Sequence, residues 1–201
     1  VVQWIINSGT KADGSVQLSS QADALPAWAS AAYDFSTGAY YSTYLVTRDR
    51  TGAGTADRIW VMNRYGEFKG YSFDVPQANG DIVGIPLWYT TDGDHILFIG
   101  TSTGYIYYLI DDATSSATGT SLSLHPDWAT NPFKPAAVSE VTSPINTDAV
   151  NIYFGGLNAT SNPRMFGYKI SDQSSAFAAR DSVTTIRTLC YIETSPTTRL
   201  S

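Results

Sequence analysis

Short apolar runs alternate with turn-forming residues along most of the chain. The three clearest runs cover residues 83–89, 95–100 and 105–110. Asp92-Gly93-Asp94 separates the first two, and Asp-Gly between apolar runs indicates a hairpin because glycine adopts the positive φ of tight turns. Ser102-Thr103-Gly104 provides the next turn. Since no segment has an apolar stripe of helical period longer than two turns, the pattern predicts an all-β chain of antiparallel strands.

The neighbouring parts of the chain repeat this succession of strands. We expect earlier strands at 41–47, 58–63 and 67–74, and later strands at 141–145, 150–156 and 165–170. Tyr, Trp, Thr and Val suit a pleated, half-buried surface, and their abundance favours this interpretation. Each unit is therefore expected to form a sheet of four antiparallel strands.

Two short motifs recur with similar periods. Proline lies near the start of one strand in each unit, at Pro26, Pro86, Pro144 and Pro196. The second motif has an aromatic residue, a mostly apolar pair and a short polar residue, and it begins at Trp4, Trp60, Tyr108 and Tyr168. We expect its last residue, such as Asp111, to open a turn. A repeat of roughly 50 to 60 residues, each with four antiparallel strands, predicts a β-propeller.

Two successive units share a more detailed pattern. One contains Ser143-Pro144-Ile145, then Asn151-Ile152-Tyr153-Phe154-Gly155-Gly156, then Phe166-Gly167-Tyr168-Lys169-Ile170. The preceding unit has Ile96-Leu97-Phe98-Ile99-Gly100, then Gly104, then Tyr107-Tyr108-Leu109-Ile110-Asp111. This pattern resembles the repeat of the PQQ-like β-propeller family. The resemblance implies about three complete blades, near 24–75, 81–125 and 137–182, with partial blades at 1–23 and 189–201.

The quinoprotein enzymes of that family have features that this chain lacks. They typically combine eight repeats with a Trp-bearing docking motif, a vicinal disulfide, and carboxylates that hold calcium beside the cofactor. Here Cys190 is the only cysteine, so no vicinal disulfide can form. Asp111-Asp112-Ala113-Thr114 and Ser171-Asp172-Gln173-Ser174 replace the Thr-Gly-x-x-x-Trp pattern. The resemblance therefore predicts the fold, and we expect no cofactor.

The partial blades leave two arrangements open. They could close on each other to make a small four-bladed ring. Alternatively, the chain is a segment of a propeller of six to eight blades whose remainder is missing or supplied by another chain. Because the chain begins at Val1 without an initiator Met or an apolar leader, we also expect either a removed leader or a longer parent protein.

Composition narrows the class of partner. The 201 residues are 43% hydrophobic and 15% charged, with a formal net charge of −6. A nucleic-acid partner would require a basic face, and a membrane-spanning helix would require roughly 20 consecutive apolar residues. We therefore expect neither. Abundant Ser and Thr, few lysines and the acidic balance favour an extracellular, cell-surface or periplasmic protein.

Catalytic and metal sites are not evident in the sequence. His95 and His125 are the only histidines, and no Gly-x-Ser-x-Gly motif presents a nucleophile. The pairs Asp92/Asp94 and Asp111/Asp112 lack the spaced oxygen ligands of a calcium loop, and turns explain them more simply. We predict no catalytic residue and no metal ligand.

Two segments that exceed the repeat provide a candidate surface for a ligand or partner. Residues 48–57 contain Arg48 and Arg50, and residues 112–135 contain His125, Asp127, Trp128 and Phe133. Exposed aromatic residues beside polar groups are typical of recognition surfaces. In the alternative interpretation, Trp128 and Phe133 fold back over a neighbouring blade and the arginines lie in a solvated loop. Separately, Asn158-Ala159-Thr160 is a possible N-glycosylation site, expected at a hairpin tip.

These observations favour a non-catalytic β-propeller that serves as an adhesion, scaffold or assembly module. Its partner would be another protein, or the remaining blades at the open strand edges. A second hypothesis is a larger propeller enzyme, an oxidoreductase or a hydrolase, whose catalytic residues lie outside this chain. A third is a subunit of a larger complex that docks through its strand edges.

Overall fold

The computed structural model describes residues 25–34, 39–48, 57–62, 68–91, 94–111, 121–177 and 180–181. The strands are β1 (Leu25–Asp34), β2 (Ala39–Arg48), β3 (Asp57–Met62), β4 (Phe68–Val75), β5 (Ile82–Thr91), β6 (Asp94–Thr101), β7 (Ile106–Asp111), β8 (Leu122–Leu124), β9 (Glu140–Val141), β10 (Asn146–Thr147), β11 (Asn151–Leu157), β12 (Pro163–Lys169) and β13 (Arg180–Asp181). A short 3₁₀ helix, Gln77–Asn79, is the one helical element in the described part of the chain. The predicted all-β class is confirmed, while the expected partial blades at 1–23 and 189–201 lie outside the described residues.

The strands form three antiparallel sheets in chain order. The first sheet has the order β1-β2-β3-β4, and the second has β5-β6-β7-β8. The third has β10-β11-β12-β13, with β9 also paired to β11. β5 and β6 pair as far as Thr91 and Asp94, so Asp92-Gly93 connects them as the predicted hairpin. No helix in these described ranges is long and apolar enough to cross a membrane.

The three prolines of the repeat motif that the structure describes, Pro26, Pro86 and Pro144, disturb the first strand of their sheets. The register shifts between Pro26 and Trp28 in β1, and again between Val83 and Leu87 around Pro86. Around Pro144 the strand is interrupted, which leaves the short strands β9 and β10. The physical reason is that proline has no N–H for the ladder and is tolerated at bulges. The prediction of a continuous strand over 141–145 was therefore wrong.

Two hydrophobic cores lie between the sheets, one on each face of the second sheet. Along β6 and β7, alternate side chains enter different cores: Leu97 and Leu109 face the first sheet, whereas Phe98 and Tyr108 face the third. The first core contains Tyr44, Val46, Ile59, Val61, Tyr71, Val75, Ile82, Leu97, Ile99, Tyr107, Leu109 and Leu122. The second contains Ile96, Phe98, Ile106, Tyr108, Trp128, Val138, Val141, Ile145, Ile152, Phe154, Phe166 and Tyr168. Burial on both faces explains why β6 is an unbroken apolar run rather than an alternating one.

The aromatic repeat motif lies on the third strand of each sheet, but its copies differ in phase. Tyr108 and Tyr168 both belong to the second core, so they approach it from opposite sheets. Tyr168 pairs with Ile152 between β12 and β11. In the second sheet, the pair that faces the preceding sheet at the same position is Leu109 with Leu97. A shift of one residue reverses the face of every side chain in a strand. The sequence alignment of Tyr108 with Tyr168 was therefore wrong by one residue.

The interrupted first strand of the third sheet lies close to two glycines of the second sheet, Gly84 on β5 and Gly100 on β6. Gly84 has a φ of +80°, and a Cβ there would lie 2.7 Å from Cγ of Pro144. A Cβ on Gly100 would lie 2.6 Å from Cγ1 of Val141. Both distances are shorter than van der Waals contact, so glycine is needed for this packing.

Candidate functional site

A buried group of hydrogen-bonded polar side chains surrounds Asp111, between the first and second sheets. Asp111 ends β7 and is completely buried. The hydroxyl of Tyr44 donates a hydrogen bond to its Oδ2 at 2.7 Å, and Ser42 donates to the same oxygen at 3.1 Å. The hydroxyl of Tyr71 donates to Oδ1 at 2.8 Å. We call Asp111, Ser42, Tyr44 and Tyr71 the Asp111 cluster.

Strand geometry brings these distant residues together. Asp111 follows Tyr107 and Leu109 at two-residue intervals, so all three point toward the first sheet. Ser42 and Tyr44 share one face of β2 by the same alternation, and Tyr71 lies on β4. Sheet-on-sheet packing thus places a carboxylate of the second sheet beneath three hydroxyl groups of the first.

Two further side chains adjoin the Asp111 cluster. Lys69 Nζ donates to Ser42 Oγ at 3.3 Å and lies 5.5 Å from the centre of the Tyr71 ring. This ammonium group brings positive charge close to the buried carboxylate. His95 pairs with Asp111 across β6 and β7, and it is also buried.

The electrostatics of the cluster favour hydrogen bonding over proton transfer. Burial raises the pKa of Tyr44, and the neighbouring Asp111 carboxylate and its hydrogen bond raise it further. Tyr44 therefore stays a neutral donor across the physiological range. The arrangement can stabilise a buried carboxylate and join two sheets, since hydrogen bonds to charged groups are stronger than neutral ones.

The turn predicted at Asp111 does not form. As the last residue of its motif it was expected to open a turn, but it remains in β7 and pairs with Leu122 of β8. The third sheet has the half-buried apolar Ile170 at the matching place after β12. No local pattern in the sequence links Asp111 to Tyr44 or Tyr71, because the contacts span 67 and 40 residues.

A second buried carboxylate also joins the first two sheets. Asp57 begins β3 and is 4% exposed. Its Oδ2 accepts a hydrogen bond of 2.7 Å from the backbone N–H of Ile82, the first residue of β5. This bond satisfies a backbone donor where the chain enters the second sheet.

Trp128 and Phe133 belong to the core between the second and third sheets. Trp128 is 4% exposed, and its Nε1 donates to the backbone oxygen of Ile170 at 2.7 Å. The half-buried Phe133 lies edge-on to Trp128 and to Tyr168, at 5.9 and 5.3 Å between ring centres. Of the two interpretations of these aromatic residues, the structure supports the one in which they fold back over a neighbouring sheet.

His125 and Asp127 differ in exposure although they are close in sequence. His125 is 5% exposed and stacks on Tyr108, with 4.0 Å between ring centres. Its Nδ1 accepts a hydrogen bond of 3.2 Å from the backbone N–H of Asp127. The Asp127 side chain is 74% exposed, so it is the clearest part of the predicted partner surface that faces solvent.

The remaining predicted positions are distributed over other parts of the molecule. Arg48 ends β2, where its backbone pairs with Leu25, and Arg50 lies outside the described residues. Asn158 follows β11 at the predicted hairpin tip. Its Oδ1 accepts hydrogen bonds from the backbone and hydroxyl of Thr160 and from the backbone of Asn162, at 2.9 to 3.0 Å. Glycosylation of Asn158 stays a prediction.

Metal-binding groups were also sought in the described ranges. No three His, Cys, Asp or Glu residues in those ranges lie close enough together to hold a metal ion. Of the two carboxylate pairs in the sequence, Asp94 and Asp111 are in strands, whereas Asp92 and Asp112 lie outside the described residues.

No model of a protein family matches the sequence, and no curated protein does.

Proposed function

We propose that this chain is a β-propeller segment that acts as a binding module, in adhesion, scaffolding or assembly at the cell envelope or outside the cell. The observation that most supports this is the stacking of three successive antiparallel sheets, two with four strands and one with five. The second sheet is buried on both faces, and each face has its own core. Face-to-face packing of consecutive antiparallel sheets is the arrangement of neighbouring propeller blades.

The connections between sheets support the same arrangement. After β4 the chain enters β5, and the backbone N–H of Ser102 in the β6–β7 turn donates to Asp81 on that connection at 2.8 Å. Between the second and third sheets, Ser139 N–H donates to Leu157 at the β11–β12 turn, also at 2.8 Å. At both junctions the connection that enters a sheet is therefore hydrogen-bonded to that sheet near the end of β6 or β11, although donor and acceptor are exchanged.

The proposed role is binding because the candidate groups in the described part of the chain have evident packing roles. Asp111 and Asp57 hold the first two sheets together, and Trp128 fills the second core. Among the described residues, the charged side chains that face solvent include Asp127 and the paired Arg58 and Asp74. Such a rigid scaffold with exposed charged groups suits recognition of another macromolecule.

Assembly and location can be tested on the purified protein and on cells that express it. Light scattering across a range of concentrations should show a native mass above that of one chain, or a mixed assembly with a partner. X-ray scattering of the assembled species should fit a disc of radially arranged sheets, and fractionation should recover the protein from the envelope or medium. A strictly monomeric chain with an elongated scattering profile would contradict the propeller, and recovery from the cytosol alone would contradict the location.

A further inference from the structure

The loop that follows β8 joins the second sheet to the third. At its start, the backbone N–H of His125 donates to the backbone oxygen of Tyr108 on β7 at 2.8 Å. At its end, the side-chain amide of Asn131 donates to the same oxygen at 2.6 Å and accepts from the Tyr108 N–H at 3.3 Å. Between these points Trp128 enters the second core and donates to Ile170, the residue after β12. We call residues 125–131 the clasp.

His125 places a titratable ring inside the clasp. The ring is buried and stacks face to face on Tyr108, with 4.0 Å between ring centres and 6° between planes. Its Nδ1 accepts a hydrogen bond of 3.2 Å from the backbone N–H of Asp127. A ring nitrogen that accepts carries no proton, so this geometry belongs to the neutral imidazole with its hydrogen on Nε2.

The carboxylate of Asp127 lies just beyond hydrogen-bond distance of the same ring nitrogen. Its Oδ2 is 3.8 Å from Nδ1 of His125, and the side chain is largely exposed, so it can rotate without disturbing a packed neighbour. In the described part of the chain, this carboxylate and the Tyr108 phenol are the titratable groups that face the ring. Tyrosine ordinarily ionises well above the pH range in which histidine gains a proton. The negative charge that faces the ring is therefore that of Asp127.

Addition of a proton to His125 changes which atom of Asp127 it can bind. Both ring nitrogens of the charged imidazolium are donors, so Nδ1 can no longer accept from the Asp127 N–H. The same Nδ1–H can donate to the Asp127 carboxylate, in a charge-assisted hydrogen bond. Asp127 thus offers a donor to the neutral ring and an acceptor to the charged ring.

We propose that His125 is a pH-sensitive switch that controls the clasp. With the ring neutral, Nδ1 accepts from the Asp127 N–H and the clasp is closed. With the ring protonated, Nδ1–H donates to the Asp127 carboxylate, the Asp127 N–H loses its acceptor, and the neighbouring Trp128 is held less firmly between the two sheets. This inference goes beyond the proposed function and does not depend on it, because it concerns a single junction between sheets.

Nuclear magnetic resonance on the full chain, between about pH 8 and about pH 5, tests the switch directly. His95 and His125 are the only histidines, so two ring titrations are expected, and the His125→Asn variant assigns them. Hydrogen exchange measured on the same sample should show the protection of the Asp127 backbone N–H falling by about fivefold as His125 gains its proton. Protection of the Trp128 indole N–H should fall with the same midpoint.

Two variants separate the two states of the switch. Asp127→Asn keeps the backbone N–H but removes the negative charge, so the midpoint of the His125 titration should move to lower pH. Asp74→Asn makes the same charge change on an exposed residue of the first sheet and should leave that midpoint unchanged. In His125→Asn, the side-chain oxygen can accept from the N–H of residue 127 but does not titrate, so protection at residue 127 should not depend on His protonation.

Three outcomes would overturn the inference. The first is equal protection of the Asp127 N–H above and below the His125 midpoint in the wild-type chain. The second is a His125 midpoint that is the same in Asp127→Asn as in the wild type. The third is an unchanged loss of protection in His125→Asn, which would assign the effect to His95 or to another group. The wild-type titration decides by itself if a variant fails to fold.

Discussion

The two cores hold the same second sheet to its neighbours by different chemistry. Toward the first sheet, aliphatic side chains are accompanied by the buried Asp111 cluster. Toward the third sheet, the core is rich in stacked rings, including Phe98 on Tyr108 at 4.7 Å and Phe154 on Phe166 at 5.6 Å. Stacked aromatic packing tolerates small changes of orientation, whereas a carboxylate with three hydroxyl donors fixes the position of one sheet relative to the other.

The difference arises at matching positions. Asp111, the last residue of β7, matches Ile170, which directly follows β12; the first is a buried carboxylate and the second an apolar residue. Ile170 contributes its backbone oxygen to Trp128 rather than a charged side chain. Two sheets with similar sequences can therefore pack on their neighbours by different contacts. Mutations in the Asp111 cluster and in the aromatic core should have different effects on stability.

The largest effect is expected in the aromatic core. Trp128→Ala removes a large buried ring and should destabilise the chain by about 3–5 kcal/mol. Trp128→Phe keeps most of the packing but loses the donor to Ile170, which should cost about 1 kcal/mol. Urea unfolding followed by circular dichroism would measure both. Equal losses for the two variants would show that the hydrogen bond, rather than the ring volume, dominates.

The stability cost of removing the Asp111 carboxylate should depend on whether its hydroxyl donors are still present, which is not expected in the aromatic core. Asp111→Ala leaves three buried hydroxyl groups without their acceptor, and removal of one partner from a buried charged network costs about 3 kcal/mol. Asp111→Leu combined with Tyr44→Phe and Tyr71→Phe should recover much of that loss. A triple variant less stable than Asp111→Ala would contradict this interpretation. The same urea titration provides the measurement.

A smaller effect is expected where Val141 of the third sheet packs against Gly100 of β6. Gly100→Ala places a Cβ against Val141 and should cost about 1–3 kcal/mol through overpacking. Val141→Ala in the same chain should relieve part of it, so the double variant should be more stable than the sum of the single effects predicts. Strict additivity in thermal unfolding would show that the two residues do not contact each other.

The smallest effect belongs to an exposed turn outside both cores. Limited burial of Asp148 opposes ionisation, but hydrogen bonds from the Tyr153 hydroxyl and from the backbone of Asn151 and Val150 outweigh it and lower the pKa of Asp148 to about 2. Because the folded pKa is below the unfolded value, the contribution to stability is present above about pH 4 and is lost as pH falls toward 2. Solvent screening limits it to about 0.5 kcal/mol.

Nuclear magnetic resonance titration of the Asp148 carboxyl would measure this pKa. Tyr153→Phe removes the hydroxyl donor and should move the pKa upward, toward the ordinary aspartate value. An unchanged pKa in that variant would show that the backbone donors alone account for the shift.

Much of the strand pattern was predictable because it depends on neighbouring residues. Asp92-Gly93 and Ser102-Thr103-Gly104 mark their turns by residue type, and the unbroken apolar run 95–100 indicates a strand buried on both faces. The interruption near Pro144 was harder to predict, because Pro86 lies within the bulged but continuous strand β5. Proline shows that a strand is disturbed without showing how far the neighbouring residues continue to pair.

The sequence by itself determined the all-β class and most of the antiparallel strands, including the turn at Ser102-Thr103-Gly104, since periodicity and turn chemistry act over a few residues. Only the tertiary structure decided which face each side chain occupies. It placed Tyr108 and Tyr168 in one core and brought Asp111 beneath Tyr44 and Tyr71. It also buried Trp128, which was one candidate for an exposed partner surface. The physical reason is that a shift of one residue reverses a strand's faces, and contacts between sheets join residues that no local pattern relates.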